Sequence, residues 1–189
     1  MTVSIYRSEH VSLSAFSYLY SELVQYHQSR VSSIAELERR LESSGYGVGF
    51  KVLELLAYKS REHKRETRIM SILQFISSTV WKALFGRAAD SLERSIDHED
   101  EYMIFDYNPI TSIHVSSHPL SADAYLSGII AGVLEGAGFT AQVSAHTVTI
   151  EEGEVVKGNA VGLPPRKDKA VFLVKFAHKI LERDAALQK

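Results

Sequence analysis

An α+β fold is what this sequence predicts, and three observations carry it. Apolar residues recur at helical spacing through most of the first half, and later stretches are β-prone or alternate at strand spacing. Two β-prone stretches flank an Asn-Pro turn, which favours a hairpin and therefore antiparallel pairing. Helical segments and strands are largely segregated along the chain, the arrangement of α+β rather than alternating α/β domains.

Taken in order, residues 1–10 are polar and unpatterned and are expected to form a mobile tail ahead of a single domain over 11–189. Leu13, Phe16, Leu19, Tyr20, Leu23 and Val24 then define the buried stripe of an amphipathic helix. Tyr18 and Tyr26 lie off that stripe, where tyrosines serve either a protein interface or rim packing within the domain. Ser33 and Glu36 form a capping box for a short second helix carrying Ile34, Leu37 and Leu41. Gly45-Tyr46-Gly47-Val48-Gly49 is expected to end that helix and start another, buried on most sides by Val48, Phe50, Val52, Leu53, Leu55 and Leu56. The glycine run has the look of a nucleotide loop, but such loops follow a strand and here a helix precedes.

Lys59 to Arg68 is the most polar run, suited to an acidic partner or lipid surface, or to a solvated helix connection. Beyond it, Ile69, Ile72, Leu73, Ile76, Val80, Ala83 and Leu84 mark the strongest helical face in the chain. Trp81 and Phe85 sit four apart on its flank, where their rings can pack together. Gly86 supplies a left-handed helix end, and Asp90 with Glu93 signals one more short helix.

Asp97-His98-Glu99-Asp100-Glu101 reads as an exposed acidic turn rather than a metal site, since it lacks a second ligand cluster. Tyr102 to Tyr107, Asn108-Pro109 and Ile110 to Val115 make the hairpin. His114 and His118 are four apart, but Pro119 and the strand context deny them a shared helical face. Ser121 is expected to cap a helix through about Ala137, with Ala124, Gly128, Gly132 and Gly136 in a row of small residues for close packing. Phe139 to Val148 alternates as a strand buried on one face, and wet or partner-facing on the other. Glu151 to Lys169 is expected to be a disordered loop. Val171 to Phe176 is the last strand, and Ala177 to Leu187 the last helix.

Composition narrows function by exclusion. The chain has 189 residues, enough for one core that buries about 70% of the unfolded surface without a staple. A formal charge of -2 argues against binding nucleic acid or membranes mainly through electrostatics. There is no cysteine, so disulfides, thiolate catalysis, cysteine zinc sites and S-acylation are excluded. The run Met1 to Arg7 lacks the pattern of a secretory leader and no apolar run reaches a membrane-spanning length, so the expectation is a soluble protein. No nucleophile elbow, P-loop, zinc motif or fixed carboxylate pair is present, and the residues point to no enzyme and no cofactor.

One stretch is specific enough to suggest kinship. Val80-Trp81-Lys82-Ala83-Leu84-Phe85-Gly86-Arg87-Ala88-Ala89-Asp90-Ser91-Leu92-Glu93 resembles the Val-Trp-Lys-x-Leu-Phe-Gly-x-x-Ala-Asp-x-Leu-Glu stretch of one small subunit of the transport protein particle, TRAPP. Val11 to Phe16 leading to Ser21 to Gln25, Gly45 to Leu55, and Arg65-Glu66-Thr67 agree at consistent spacing. The likeness runs from about Val11 to Val148 and resumes near Val171.

That resemblance implies a four-stranded antiparallel sheet with helices packed on one side, the Ser121 helix lying on the sheet. It implies a non-catalytic scaffold subunit of a vesicle-tethering complex in ER-to-Golgi transport. The assembled complex acts as a nucleotide exchange factor for a Rab-type GTPase, which requires differential affinity between states rather than an acid, base or nucleophile here. The implied partners are other small TRAPP subunits, with a Rab GTPase engaged through the assembly. The implied location is cytoplasmic, peripheral at endoplasmic reticulum and cis-Golgi membranes, with membrane association indirect. The outward side of the first helix, at Tyr18, Glu22 and Tyr26, is the candidate protein interface. Two departures matter: some siblings carry an acylated cysteine in a lipid tunnel and this chain has none, and the family usually has a short turn where Glu151 to Lys169 stands. The alternative function is a small lipid- or acyl-binding domain whose pocket lies between the apolar helices Val48 to Leu56 and Ile69 to Leu84.

Overall fold

Helical periodicity in the first half and strand periodicity in the second become a layer of helices on one face of a sheet in the computed structural model, which describes residues 11–60, 65–112, 121–150 and 168–187. The elements are α1 Leu13–Gln28, α2 Ile34–Lys59, α3 Ile69–Gln74, a π-helical turn Phe75–Val80, α4 Trp81–Phe85, β1 Ser91–Arg94 and β2 Glu101–Asp106. A 3-10 turn Ile110–Ser112, α5 Ala124–Gly136, β3 Ala141–Thr149, β4 Asp168–Phe176 and α6 His178–Ala186 complete them. The sheet has four strands in the order β1-β2-β4-β3, every neighbour antiparallel. In β2 the alternation buries Tyr102, Ile104 and Asp106, and Ile104 lies opposite Phe172 of β4. Tyr102, Ile104 and Phe172 share one core with Ile72, Leu73, Ile76, Val80 and Trp81 from the helix before the sheet, and with Ile130, Val133 and Leu134 of α5.

The glycines at 45–49 do not break a helix; α2 runs unbroken for 26 residues. They are there because α5 crosses at backbone contact. A Cβ on Gly45 would stand 2.0 Å from the Tyr125 carbonyl oxygen, and one on Gly49 would stand 2.3 Å from that of Ile129. The row of small residues on α5 answers them: a Cβ on Gly128 would meet the Glu42 carbonyl oxygen at 2.0 Å, and one on Gly132 that of Tyr46 at 2.2 Å. No larger residue fits any of the four positions, and the helix-lowering cost of glycine, about 1 kcal/mol each, is offset by the close approach. The nucleotide-loop resemblance therefore has no structural counterpart. The α2 segment expected to be buried on most sides is instead wet along much of its length: Tyr46, Phe50, Leu55 and Tyr58 are exposed.

Other expectations shift for similar tertiary reasons. Trp81, expected on a flank, is buried in the core, with Phe85 in T-shaped contact at 5.3 Å and Phe172 at 5.5 Å. Gly86 takes the left-handed conformation foreseen for it, at φ 74°. The carbonyl of Ser77, within the π-helical turn, accepts from Ala89 N–H at 2.8 Å, which draws the chain after Gly86 back along the helix. Asp90 precedes a strand and Glu93 lies within it, where a helix was expected. Asp90 N–H donates to the Phe105 carbonyl and its carboxylate accepts from Tyr107 N–H at 2.8 Å, fastening β1 to the end of β2.

The hairpin partner of β2 is thus β1 rather than Ile110–Val115. Pro109 is followed by the 3-10 turn, whose Thr111 and Ser112 hydroxyls both donate to Asp123 at 2.6 Å; residues 113–115 lie outside the described ones. That commitment of Asp123, together with Ser121 N–H donating to Glu38 at 2.8 Å, moves the start of α5 from Ser121 to Ala124. α5 packs on α2 as well as on β3. β4 begins at Asp168, three residues ahead of the expected Val171; residues 151–167 of the expected loop, and the expected tail 1–10, lie outside the described residues.

Candidate functional site

Ser12 caps α1 by accepting from Ala15 N–H at 3.1 Å, and the helix is then held by one side only. Tyr20 and Val24 enter a small second core with Leu37 and Leu41 of α2 and Ala122 and Ala124 at the start of α5. The Tyr20 hydroxyl donates to the Ala122 carbonyl, and burial pushes its pKa well above the usual phenol value. With that side anchored, the opposite side faces outward. Tyr18 is 79% exposed and Tyr26 is 50% exposed, with Glu22 exposed between them. Their i, i+4, i+8 spacing sets the three along one line of the helix surface. Leu19, expected on the buried stripe, is 72% exposed and widens the outward patch.

The line extends one turn beyond what the sequence disclosed. Arg30 stacks its guanidinium 3.7 Å above the Tyr26 ring and donates to the Tyr26 carbonyl at 2.9 Å. A tyrosine, a carboxylate, a second tyrosine and a stacked guanidinium make a patch of the amphipathic chemistry enriched at protein interfaces. Arg30 was missed because it follows the helical pattern; its i+4 step from Tyr26 was the available signal. The exposed Phe50, Leu55 and Tyr58 of α2 were missed for another reason. Phe50 and Leu55 fall within the segment expected to be buried, because periodicity alone cannot show which side of a long helix a neighbour covers, and Tyr58 lies beyond that segment.

Among the described residues the other candidate chemistry resolves into structure. His98, Asp100 and Glu101 bring one possible ligand atom each within 4.8 Å of one another. The cation beside the two acids is Lys175, whose Nζ lies 2.9 Å from Glu101 and 3.7 Å from Asp100, and the hydrogen bond to Glu101 raises the lysine pKa. In the polar run before α3, Arg68 pairs with Asp184 of α6 at 2.9 Å, and Arg65 donates to the Ala137 carbonyl at 3.0 Å. These arginines are ties between elements. His114 and His118 lie outside the described residues. Val48, Val52, Leu53 and Leu56 pack against the same core as Ile69, Ile72, Leu73, Ile76 and Val80, the two segments between which the alternative, acyl-binding function places its pocket. No helix among the described residues is long and apolar enough to cross a membrane.

Comparison with known proteins decides the family. The family model described as "Transport protein particle (TRAPP) component" matches residues 16–176. The chain belongs to the TRAPP component family. A trafficking protein particle complex subunit 5 from Dictyostelium discoideum is 41% identical over 181 residues, covering 93% of this chain and 90% of that protein. The Homo sapiens subunit 5 is 37% identical, covering 94% of this chain and 87% of the human one. Subunit 31 of the Saccharomyces cerevisiae complex is 22% identical over 95% of this chain. In structure, a crystallised subunit 3 from Naegleria fowleri, covalently bound to palmitic acid, superposes with a TM-score of 0.65 at 18% identity over 88% of this chain and 95% of its own. That likeness shows the TRAPP fold: a four-stranded antiparallel sheet with helices. TRAPP membership makes this chain a component of a trafficking particle complex, with other TRAPP subunits as its partners.

Proposed function

We propose that this chain is a non-catalytic scaffold subunit, folded as one small-subunit domain over 11–189, that joins its TRAPP neighbours through helical faces. The single observation carrying this reading is the outward line of α1: Tyr18, Glu22, Tyr26 and Arg30, beside the exposed Leu19. A monomer seldom leaves two tyrosines and a leucine uncovered on one helix without a partner for them. The exposed Phe50, Leu55 and Tyr58 of α2 add apolar surface for a second contact. Through the assembled particle the chain would support nucleotide exchange on a Rab-type GTPase and vesicle tethering between endoplasmic reticulum and Golgi, working from the cytoplasm with membranes contacted through partners. That role asks nothing of this chain but rigid placement of its neighbours, which suits a structure in which Arg65, Arg68 and Arg87 tie separate elements together.

The test is light scattering on the purified chain, alone and mixed with each of the other small TRAPP subunits. A stoichiometric complex that is weakened by Tyr18→Ala or Tyr26→Ala places the interface on α1. Absence of a complex with every subunit defeats the scaffold reading.

A further inference from the structure

The two edges of the sheet are built differently. β1 is four residues long and carries Glu93 and Arg94, the length and charge by which edge strands avoid unwanted pairing. β3 is nine residues long, and from Ala141 to Thr149 it contains no acidic residue, lysine, arginine or proline. One side pairs with β4 from Ala141↔Phe176 to Thr149↔Asp168. On the other side, no backbone group of β3 is hydrogen-bonded among the described residues.

A groove of about 530 Å³ runs along that free side. All six consecutive residues from Gln142 to Thr147 line it. Consecutive strand residues point to opposite faces, so a groove that touches all six follows the strand's edge and its unpaired backbone. The far wall carries two carboxylates, Glu38 and Glu42, one turn apart on α2, and no lysine or arginine among the described residues lines the groove. Glu38 is held in place by accepting from Ser121 N–H, while the Ser121 hydroxyl is buried without a partner. Burial raises the Glu42 carboxyl pKa, with no cation among the causes.

We propose that the open edge of β3 receives an extended, basic segment of a partner protein as an added strand, its cationic side chains directed to Glu38 and Glu42. Main-chain pairing supplies the affinity of such strand addition and side-chain pockets supply the specificity. Carboxylates one helical turn apart are separated by about 6 Å along the axis, close to the roughly 6.8 Å between alternate residues of a strand. The expected signature is therefore lysine or arginine at alternate positions among β-branched residues. A second copy of this chain fits less well, because edge-to-edge pairing would bring another Glu38–Glu42 pair to the same junction. This surface is carried by residues other than the α1 patch, so either can fail without the other.

The probe is a display library of random peptides about as long as β3, panned on the full chain, with enriched peptides then titrated individually. Expected are peptides with alternating basic residues, bound at least about tenfold more weakly by the Glu38→Gln/Glu42→Gln double variant. Bound peptide should also slow hydrogen exchange at alternate β3 amides. No enrichment overturns the proposal, as do enriched peptides without basic residues, binding unchanged in the double variant, or binding that leaves β3 exchange unaltered. Alternate β3 amides already protected in the free chain overturn it too, by showing the edge paired within the molecule. A concentration-dependent dimer abolished by Gln142→Lys overturns it in favour of self-pairing.

Discussion

Trp81 Nε1 donates to Asp106 Oδ2 at 2.9 Å, tying the chain's only tryptophan to a carboxylate that is 1% exposed. The other oxygen of Asp106 accepts from Arg87 and, at 2.8 Å, from Asn108 N–H. One buried side chain thus joins the helix before Gly86, the loop after it and the end of β2. Asp106→Ala leaves the indole N–H unpaired and the guanidinium without its inner partner. It should cost about 3 kcal/mol, read as a fall in urea midpoint at unchanged slope. Asp106→Asn, which keeps an acceptor for the indole, should cost less.

The α2–α5 crossing separates glycines that look alike in sequence. Gly49→Ala or Gly128→Ala drives a methyl into a carbonyl of the facing helix and should destabilise the fold by about 1–3 kcal/mol or more. Nothing lies within 4 Å of a Cβ built on Gly47, so Gly47→Ala should stabilise by up to about 1 kcal/mol through helix propensity. Thermal melts of the three variants check this. Equal effects at 47 and 49 would contradict the crossing.

His27 places a pH dependence between α1 and α2. Its Nε2 is 3.2 Å from the Ser44 hydroxyl, its Nδ1 is buried without a partner, and the Tyr26 ring is edge-on at 5.4 Å. Burial, then Arg40 and Arg30, lower its pKa below 6.5. Protonation therefore favours the unfolded chain. The His27 contribution is complete above pH 6.5 and is lost as pH falls through the lowered folded value. Acidification from about pH 7.5 toward about pH 5.5 should lower the melting temperature of the parent chain more than that of His27→Gln.

Asp184 of α6 caps α3 from a distance. Its carboxylate accepts from Ile69 N–H at 3.1 Å and from Arg68 at 2.9 Å, while Arg68 itself offers no cap. Asp184→Ala should destabilise by about 1–2 kcal/mol, and hydrogen exchange should show the first amides of α3 opening faster. Uniform change across the chain would argue against a local cap.

What the sequence by itself determined are features that depend on near neighbours in the chain. The α+β class, the helix carrying Trp81, the left-handed Gly86, the outward line of Tyr18, Glu22 and Tyr26, and strands β2 and β3 all follow from spacing or from one residue's backbone freedom. The burial of Asp106 and its partners Trp81, Arg87 and Asn108 came only with the tertiary structure, since nothing in the β-prone run Tyr102 to Tyr107 by itself pairs it with an indole. The tertiary structure alone decided whether glycines break a helix or let another cross it, which β-prone run pairs with β2, and which side of α2 stays wet. A glycine lowers helix propensity by about 1 kcal/mol wherever it stands, and only a neighbour within backbone contact can offset that loss. The place of β3 at the end of the sheet order belongs to the same class of fact, because a strand's alternation fixes its faces and not the company at its edge.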